Sequence, residues 1–285
     1  AGISAARHRG VPMVLTEHTG PLRTVTADRR WRLHTQAGMD GADCLVAVSQ
    51  ALRRDMLDQL DIRDPARVLV LPNGVDTSFF DPALARPCPP GERDTAAFRR
   101  PGAVHALWVG HHVEVKAVDR LLDAFAVARR HQPGLVLSLL GDGPLEPARR
   151  RQAQALGLES AVRFLSGAGR EGVRDAMAAA DFLVLPSHAE TFGVVVIEAL
   201  AMGKPVLATA CGGPEDVLAD DPRLGLLAGN TMHGVALGLQ RMAAGLGGFD
   251  PRQIRAVAVD RYDYARLGTR LLALYEDVAN APAAG

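Results

Sequence analysis

The chain reads as an α/β protein built on parallel sheets, and three observations carry that reading. Short apolar runs alternate with longer stretches of helical periodicity along most of the 285 residues. The runs are continuously apolar rather than alternating, as expected of strands covered by helices on both faces. Several stop at glycine or proline, as at Val109-Gly110, Leu140-Gly141 and Leu185-Pro186. In a doubly wound sheet those carboxyl ends line the ligand crevice.

The first part of the chain places strands at 11–15, 44–48 and 68–71. A helix is expected over 50–60, opening after Ser49, whose hydroxyl suits an N-cap. Three strands with few helices make a thin sheet, part of a domain rather than a whole one. Residues 81–101 then hold Pro82, Pro87, Pro89, Pro90 and Pro101. Proline brings no amide donor and does not sit inside helices or central strands, so this stretch is read as an interdomain linker or a surface excursion.

From 102 onward the alternation becomes regular. Strands are expected at 103–109, 135–140, 162–165, 182–185, 205–208 and 224–227. Helices fall at 118–130, 145–156, 171–179, 193–202, 214–218 and 232–244. Two closing helices follow over 251–261 and 264–278, then an Ala/Pro/Gly tail expected to fray.

Composition removes several classes. The 32 Lys+Arg balance 32 Asp+Glu, so nothing pulls the chain generally toward nucleic acid or anionic lipid. With 48% hydrophobic and 22% charged residues the chain can bury sizeable cores, which excludes disordered and fibrous readings. No apolar run approaches the ~18 residues of a membrane span, and the N-terminus lacks a signal-peptide pattern. Cys44, Cys88 and Cys211 lie far apart without CxxC spacing, so neither a disulfide framework nor a zinc site is indicated. A cytoplasmic, reducing compartment is the default.

Chemistry gathers at the strand exits. The segment Glu190-Thr-Phe-Gly-Val-Val-Val-Ile-Glu198 leaves the strand at 182–185 and enters a helix that is apolar nearly all round. Such a helix should be buried, and a buried carboxylate on it must meet donors. Glu198 is therefore either a structural salt-bridge or solvent-facing residue, or a carboxylate reaching vicinal hydroxyls such as those of a ribose. Gly193 at the helix start allows close approach, and free amides there favour a phosphate. The loop Val109-Gly-His-His-Val-Glu-Val-Lys116 puts a cation at the carboxyl end of another strand. It is neither GxxxxGK[ST] nor GxGxxG, so nucleotide hydrolysis and a plain dinucleotide site lose weight. Taken alone, Lys116 is as readily a solvated helix-start lysine. Gly141-Asp-Gly-Pro144 and Cys211-Gly-Gly-Pro-Glu215 are tight turns that become crevice walls once collected at one sheet edge. His8, His34 and His188 read as ordinary polar residues.

In order, these motifs resemble the family-4 retaining glycosyltransferases of GT-B architecture. The resemblance also takes in Thr16-Glu-His-Thr-Gly20, Ala47-Val-Ser49 and Leu71-Pro-Asn-Gly-Val-Asp76, and so runs through nearly the whole chain. It implies two Rossmann-like domains facing each other. The division becomes 1–80, a partial N-terminal, acceptor-side domain; 81–101, the linker; 102–262, a nucleotide-sugar-binding domain; and 263–285, a closing helix crossing back to the first domain, plus the tail. The chain is expected to be a piece of a longer product, with the start of its N-terminal domain missing.

The resemblance also implies roles. Lys116 would bind the donor diphosphate, Glu190 would lie by the donor sugar, and His18 would sit near the reacting sugar. Phe192, Gly193 and Val194 would receive phosphate or sugar through their backbone, and Glu198 would hold the ribose hydroxyls. Phe164 and Leu165 mark where similar proteins hold the nucleobase. The implied donor is a nucleoside-diphosphate sugar, with no cofactor, no metal and no nucleic-acid partner. The acceptor is open among a glycan, a lipid-linked molecule and a small molecule, and membrane contact at the inner face would come through the missing N-terminal part. One departure stands out: similar proteins carry arginine where this chain has His111. Histidine is mostly neutral near pH 7, so either His111 donates in its place, making donor affinity pH-dependent, or a neighbour such as His112 supports it. A non-catalytic nucleotide-sugar-binding module and a sugar-nucleotide epimerase are the alternative readings.

Overall fold

A computed structural model describes residues 2–86, 101–167 and 169–281. Two parallel sheets organise them. In the smaller, strands β1 (Val14–Glu17), β2 (Cys44–Ala47) and β3 (Val68–Val70) lie in the order β1-β2-β3. In the larger, β4 (Val104–Val109), β5 (Leu135–Leu140), β6 (Val162–Leu165), β7 (Phe182–Leu185), β8 (Val206–Thr209) and β9 (Gly225–Ala228) take the order β6-β5-β4-β7-β8-β9. All of its pairings are parallel. The chain works outward from β4 in one direction, then returns to place β7 on β4's other side. The β4/β7 pair is thus the switch point, where loops diverge and a crevice opens.

The helices are α1 (Gly2–Arg9), α2 (Leu22–Thr26), α3 (Arg29–Asp40) and α4 (Gln50–Gln59) around the small sheet. Around the large one lie α5 (Val118–His131), α6 (Glu146–Ala155), α7 (Arg170–Ala179), α8 (Val194–Ala201), α9 (Gly213–Leu218) and α10 (Met232–Gly245); α11 (Pro251–Tyr262) packs on α8, and α12 (Tyr264–Asn280) starts against Gly74 and Val75, in the segment after β3. Ser49 caps α4 as expected, its hydroxyl accepting from the Leu52 amide at 2.9 Å. The first strand starts three residues later than expected, because Val11 lies outside the ladder and is exposed. Helix α1 carries no sequence signal: it buries no residue and has no apolar stripe. Of the proline-rich stretch, 82–84 form a 3-10 turn capped by Asp81, while 87–100 lie outside the described residues, as does the tail at 282–285.

Side-chain patterning decides where each helix packs. Leu121, Leu122 and Phe125 of α5 and Leu239 and Met242 of α10 cover one face of the large sheet, against Trp108, Phe182 and Leu207. A second cluster runs without a break from the small sheet (Leu45, Ala47) and Leu52 of α4 through Phe192 to Val196, Ile197 and Leu200 of α8 and Ile254 of α11. Where α11 meets α12, the chain pairs with the segment after β3: the Val75 amide donates to the Tyr262 carbonyl at 2.8 Å, and the Tyr264 amide to Val75 at 3.2 Å. Arg255 fastens the same corner, donating to the carbonyls of Phe80 (2.7 Å), Thr77 (3.0 Å) and Ala201 (2.5 Å) and to the Asp81 carboxylate (2.8 Å).

Candidate functional site

A cavity of about 610 Å³ lies at the switch point between the two sheets. The β4 exit supplies Lys116, at the end of a 3-10 turn over Glu114–Lys116. Ala117 then adopts a left-handed conformation (φ 50°) that turns the chain into α5. The β7 exit supplies Glu190, and its loop is held from many sides. Arg120 of α5 donates to the Pro186 and Ser187 carbonyls, the latter at 3.1 Å. Thr209 donates to the Ser187 carbonyl at 2.7 Å, and the His188 amide to Val115 at 2.8 Å. The Glu190 amide and carbonyl bond Cys211 and Gly213 at 3.0 and 2.8 Å. With its backbone groups so satisfied, the loop is a fixed platform rather than a flexible tip.

The Cys211-Gly-Gly-Pro-Glu215 turn explains itself as that platform's wall. Gly212 has φ 122°, and a Cβ there would come within 2.6 Å of the Glu190 carbonyl. A Cβ on Gly213 would overlap the Phe192 backbone outright. Glu215 closes the turn, its carboxylate accepting from the Cys211 and Gly212 amides at 3.0 and 2.8 Å. Likewise, Gly141 and Gly143 let the β5 exit lie backbone-to-backbone on Gly110 and His112 of the β4 loop.

Within the cavity Lys116 Nζ donates to Glu190 Oε1 at 2.6 Å, and Ser187 Oγ donates to the same oxygen at 2.7 Å. Gly193, at φ 85°, caps α8 with no side chain over its first amides, so the helix presents Val194 and Val195 to the cavity with the N-terminal end of its dipole. One turn on, Glu198 lines the same wall. Among the described residues its carboxylate has no hydrogen-bond or ion-pair partner. The described residues therefore supply no donor to this half-buried carboxylate. Burial raises its pKa above the ordinary carboxylate value, and the Arg170 charge only tempers the rise. From the small sheet, His18 reaches the rim after β1, and the Ser49 hydroxyl donates to the Thr191 carbonyl at 2.6 Å.

The cavity therefore gathers His18, Lys116, Glu190, Phe192, Gly193, Val194 and Glu198, and leaves out three expected residues. His111 is solvent-exposed, its Nδ1 3.0 Å from the equally exposed Asp142. Phe164 packs against the His112 ring and under the Arg150 guanidinium (4.6 Å), and Leu165 is buried in the core; both sit on β6, the edge strand two places from β4. His112 cannot supply the charge expected of it: it is buried between Trp108 and Phe164, neither ring nitrogen has a partner among the described residues, and burial lowers its pKa. Residues that sequence reasoning missed include Arg170, the first residue of α7, whose guanidinium lies 4.5 Å above the Phe79 ring and lines the cavity with Phe80 and Asn73. Asn73 stood inside a motif already singled out. Arg170 follows the glycine-bearing exit of β6 and was detectable by the strand-edge rule alone. Among the described residues, no three His, Cys, Asp or Glu side chains come together as a metal-holding group, and no helix is long and apolar enough to cross a membrane.

Comparison with known proteins bears on this arrangement. The family described as Glycosyltransferase Family 4 matches residues 1–79, and Glycosyl transferases group 1 matches residues 98–237. A D-inositol 3-phosphate glycosyltransferase of Actinosynnema mirum is 33% identical over 95% of this chain and 68% of its own length. One from Kineococcus radiotolerans is 36% identical over 65% of this chain and 44% of its own length, and one from Nocardiopsis dassonvillei 32% over 86% and 59%. The chain thus spans between 44% and 68% of the length of these relatives. Among solved structures, Anabaena HepE in complex with UDP and glucose superposes with a TM-score of 0.75 at 20% identity, over 96% of this chain and 74% of that one. A sucrose-phosphate synthase from Thermosynechococcus elongatus gives 0.76 at 23% identity, over 93% and 67%. At these identities the structural likeness speaks for the fold.

Proposed function

The chain belongs to the family-4 glycosyltransferases and has their GT-B fold, and from that premise we propose that it moves a sugar from a nucleoside diphosphate to an acceptor hydroxyl with retention of configuration. The observation that carries the proposal is the convergence of Lys116, Glu190, Glu198 and the start of α8 in one cavity. A donor needs a cation and amide dipoles for its diphosphate, a carboxylate for its ribose and a polar wall for its sugar, and the cavity holds one of each.

In this reading the diphosphate takes the Lys116 ammonium from Glu190 and lies against the first amides of α8. Arg170, rather than His111, supplies the second positive charge. Glu198 accepts from the ribose hydroxyls, which satisfies its carboxylate. Glu190 and His18 face the transferred sugar from opposite sheets. As the anomeric C–O bond to phosphate breaks, negative charge grows on the leaving group, where Lys116, Arg170 and the helix dipole stabilise it. The acceptor oxygen bonds the anomeric carbon on the same face, and its proton passes to the departing phosphate. Glu190 positions the sugar; no enzymatic nucleophile is assigned. No cofactor or metal enters this scheme. A cytoplasmic setting and an acceptor drawn from glycans, lipid-linked molecules or small molecules belong to the same proposal. The epimerase and binding-module readings are not favoured, since the matched families and curated relatives are glycosyltransferases.

The test is a thermal-shift panel of UDP, GDP, ADP and their glucose conjugates on the wild type and on Glu198→Ala. Stabilisation of the wild type by one base series, lost in the variant, is the expected result. No stabilisation by any diphosphate would sink the proposal.

A further inference from the structure

We propose that Ser187 is the positioning residue for Glu190, holding the carboxylate in place after the donor diphosphate has drawn Lys116 away. The inference rests on the donor-binding reading above, and its observations are geometric. Glu190 Oε1 receives two donors at once, Lys116 Nζ at 2.6 Å and Ser187 Oγ at 2.7 Å. The two are not equivalent. The Lys116 side chain is 28% exposed and lies on the cavity wall, free to swing toward an incoming anion. Ser187 is wholly buried.

Its backbone is also pinned, because its carbonyl accepts from Arg120 at 3.1 Å and from Thr209 at 2.7 Å. Those contacts come from α5 and from β8, the strand beside β7, so the serine is fixed by two residues, Arg120 and Thr209, that do not line the cavity. A diphosphate outcompetes a single carboxylate for an ammonium because it carries more charge. Once the lysine turns, a carboxylate held by nothing would be free to rotate away from the sugar. The Ser187 hydroxyl remains within bonding distance of the same oxygen, and a buried hydroxyl is costly to leave unpaired, so the bond persists. Lys116 and Ser187 thus divide the work: one serves the phosphate, the other keeps the carboxylate facing the sugar.

The experiment compares wild type with Ser187→Ala, a substitution that removes one oxygen atom and adds no bulk. Calorimetry with UDP, GDP and ADP measures diphosphate affinity, and hydrolysis of the matching glucose conjugate measures turnover. The expected result is diphosphate affinity within about twofold of wild type and hydrolysis slowed by roughly 10- to 100-fold, the scale at which misplaced catalytic groups act. Hydrolysis slowed less than twofold would overturn the inference. So would parallel losses of melting temperature and diphosphate affinity, which mark a structural serine. A crystal structure of the wild type with the diphosphate that binds gives an answer independent of the variant's folding and of turnover: Ser187 Oγ still on Glu190 with Lys116 moved to phosphate supports the inference, and Lys116 still on Glu190 refutes it. A wild type that binds none of the three diphosphates overturns the donor-binding reading itself, and the inference with it.

Discussion

Replacing Glu198 by glutamine should make the free protein more stable and the nucleotide complex much weaker. In the free chain the Glu198 carboxylate sits on an apolar helix, has no hydrogen bond or ion pair among the described residues, and is pushed by burial toward its neutral form. The carboxylate is half-buried and opens onto the cavity, so leaving it unpaired costs less than the about 1–3 kcal/mol of a fully buried unsatisfied polar group. Glutamine keeps the shape and some polarity, so the gain is at most about 1 kcal/mol, or ~2–4 °C for a chain of this size. The complex moves the other way. Two vicinal hydroxyls donating to a carboxylate contribute roughly 1.5–3 kcal/mol each, and the amide keeps one acceptor of the pair. A loss of about 3 kcal/mol is roughly a hundredfold in affinity. Scanning fluorimetry reads the first effect, and calorimetry with UDP, GDP and ADP reads the second. The pH dependence has a definite sign. The native carboxyl holds its proton more tightly than the unfolded one, so wild-type stability falls as pH rises from the ordinary carboxylate range through the raised native pKa. The Glu198→Gln curve should lack that fall. A variant that melts lower than wild type and binds the nucleotide within threefold would show that Glu198 is a structural carboxylate, and the reasoning would fail.

Further outcomes follow from the same geometry. Gly213→Ala puts a methyl into the Phe192 backbone and should shift the Glu190–Phe192 platform, abolishing calorimetric nucleotide binding while costing about 1–3 kcal/mol in denaturant titration. Arg170→Ala should weaken diphosphate binding at least tenfold, whereas His111→Ala should leave it within about threefold, because only the arginine lines the cavity. His112 is held neutral by burial, with a lowered pKa, so the unfolded chain takes up its proton first and stability is lost as pH falls below about 6.5. His112→Leu should flatten the melting temperature over that acid range.

How much of this was legible depends on what kind of physics each feature obeys. The large sheet was readable because its strands are dominated by apolar residues, with only single polar interruptions such as His105, Ser138 and Arg163, and burial on both faces leaves little else for Leu135–Leu140 or Phe182–Leu185 to be. Helix α1 was not, since it buries nothing and leaves no periodic trace. At the site, Lys116, Glu190 and Glu198 could be named because they stand at strand exits or on a helix where their chemistry is out of place. That Glu190 is shared between Lys116 and Ser187 is a matter of ångströms that spacing does not encode. His111 and His112 show the limit most clearly. Adjacent in sequence, one faces water and Asp142 while the other is sealed between aromatic rings. Which way each turns is set by Asp142 and Gly143, whose loop lies backbone-to-backbone on theirs. No pattern within the histidine loop itself carries that information.

The unbroken apolar cluster from Leu45 through Phe192 to Ile254 has a mechanical consequence. A hinged enzyme usually keeps a polar, wet seam between its lobes so that they can rock at little cost. Here the seam is partly oil, bolted at one end by the Ser49 hydroxyl on Thr191 and at the other by the four-way grip of Arg255. The two sheets should therefore melt as one cooperative unit, with a single calorimetric transition. Whatever opening admits a ligand has to come from loops at the cavity mouth rather than from the lobes parting.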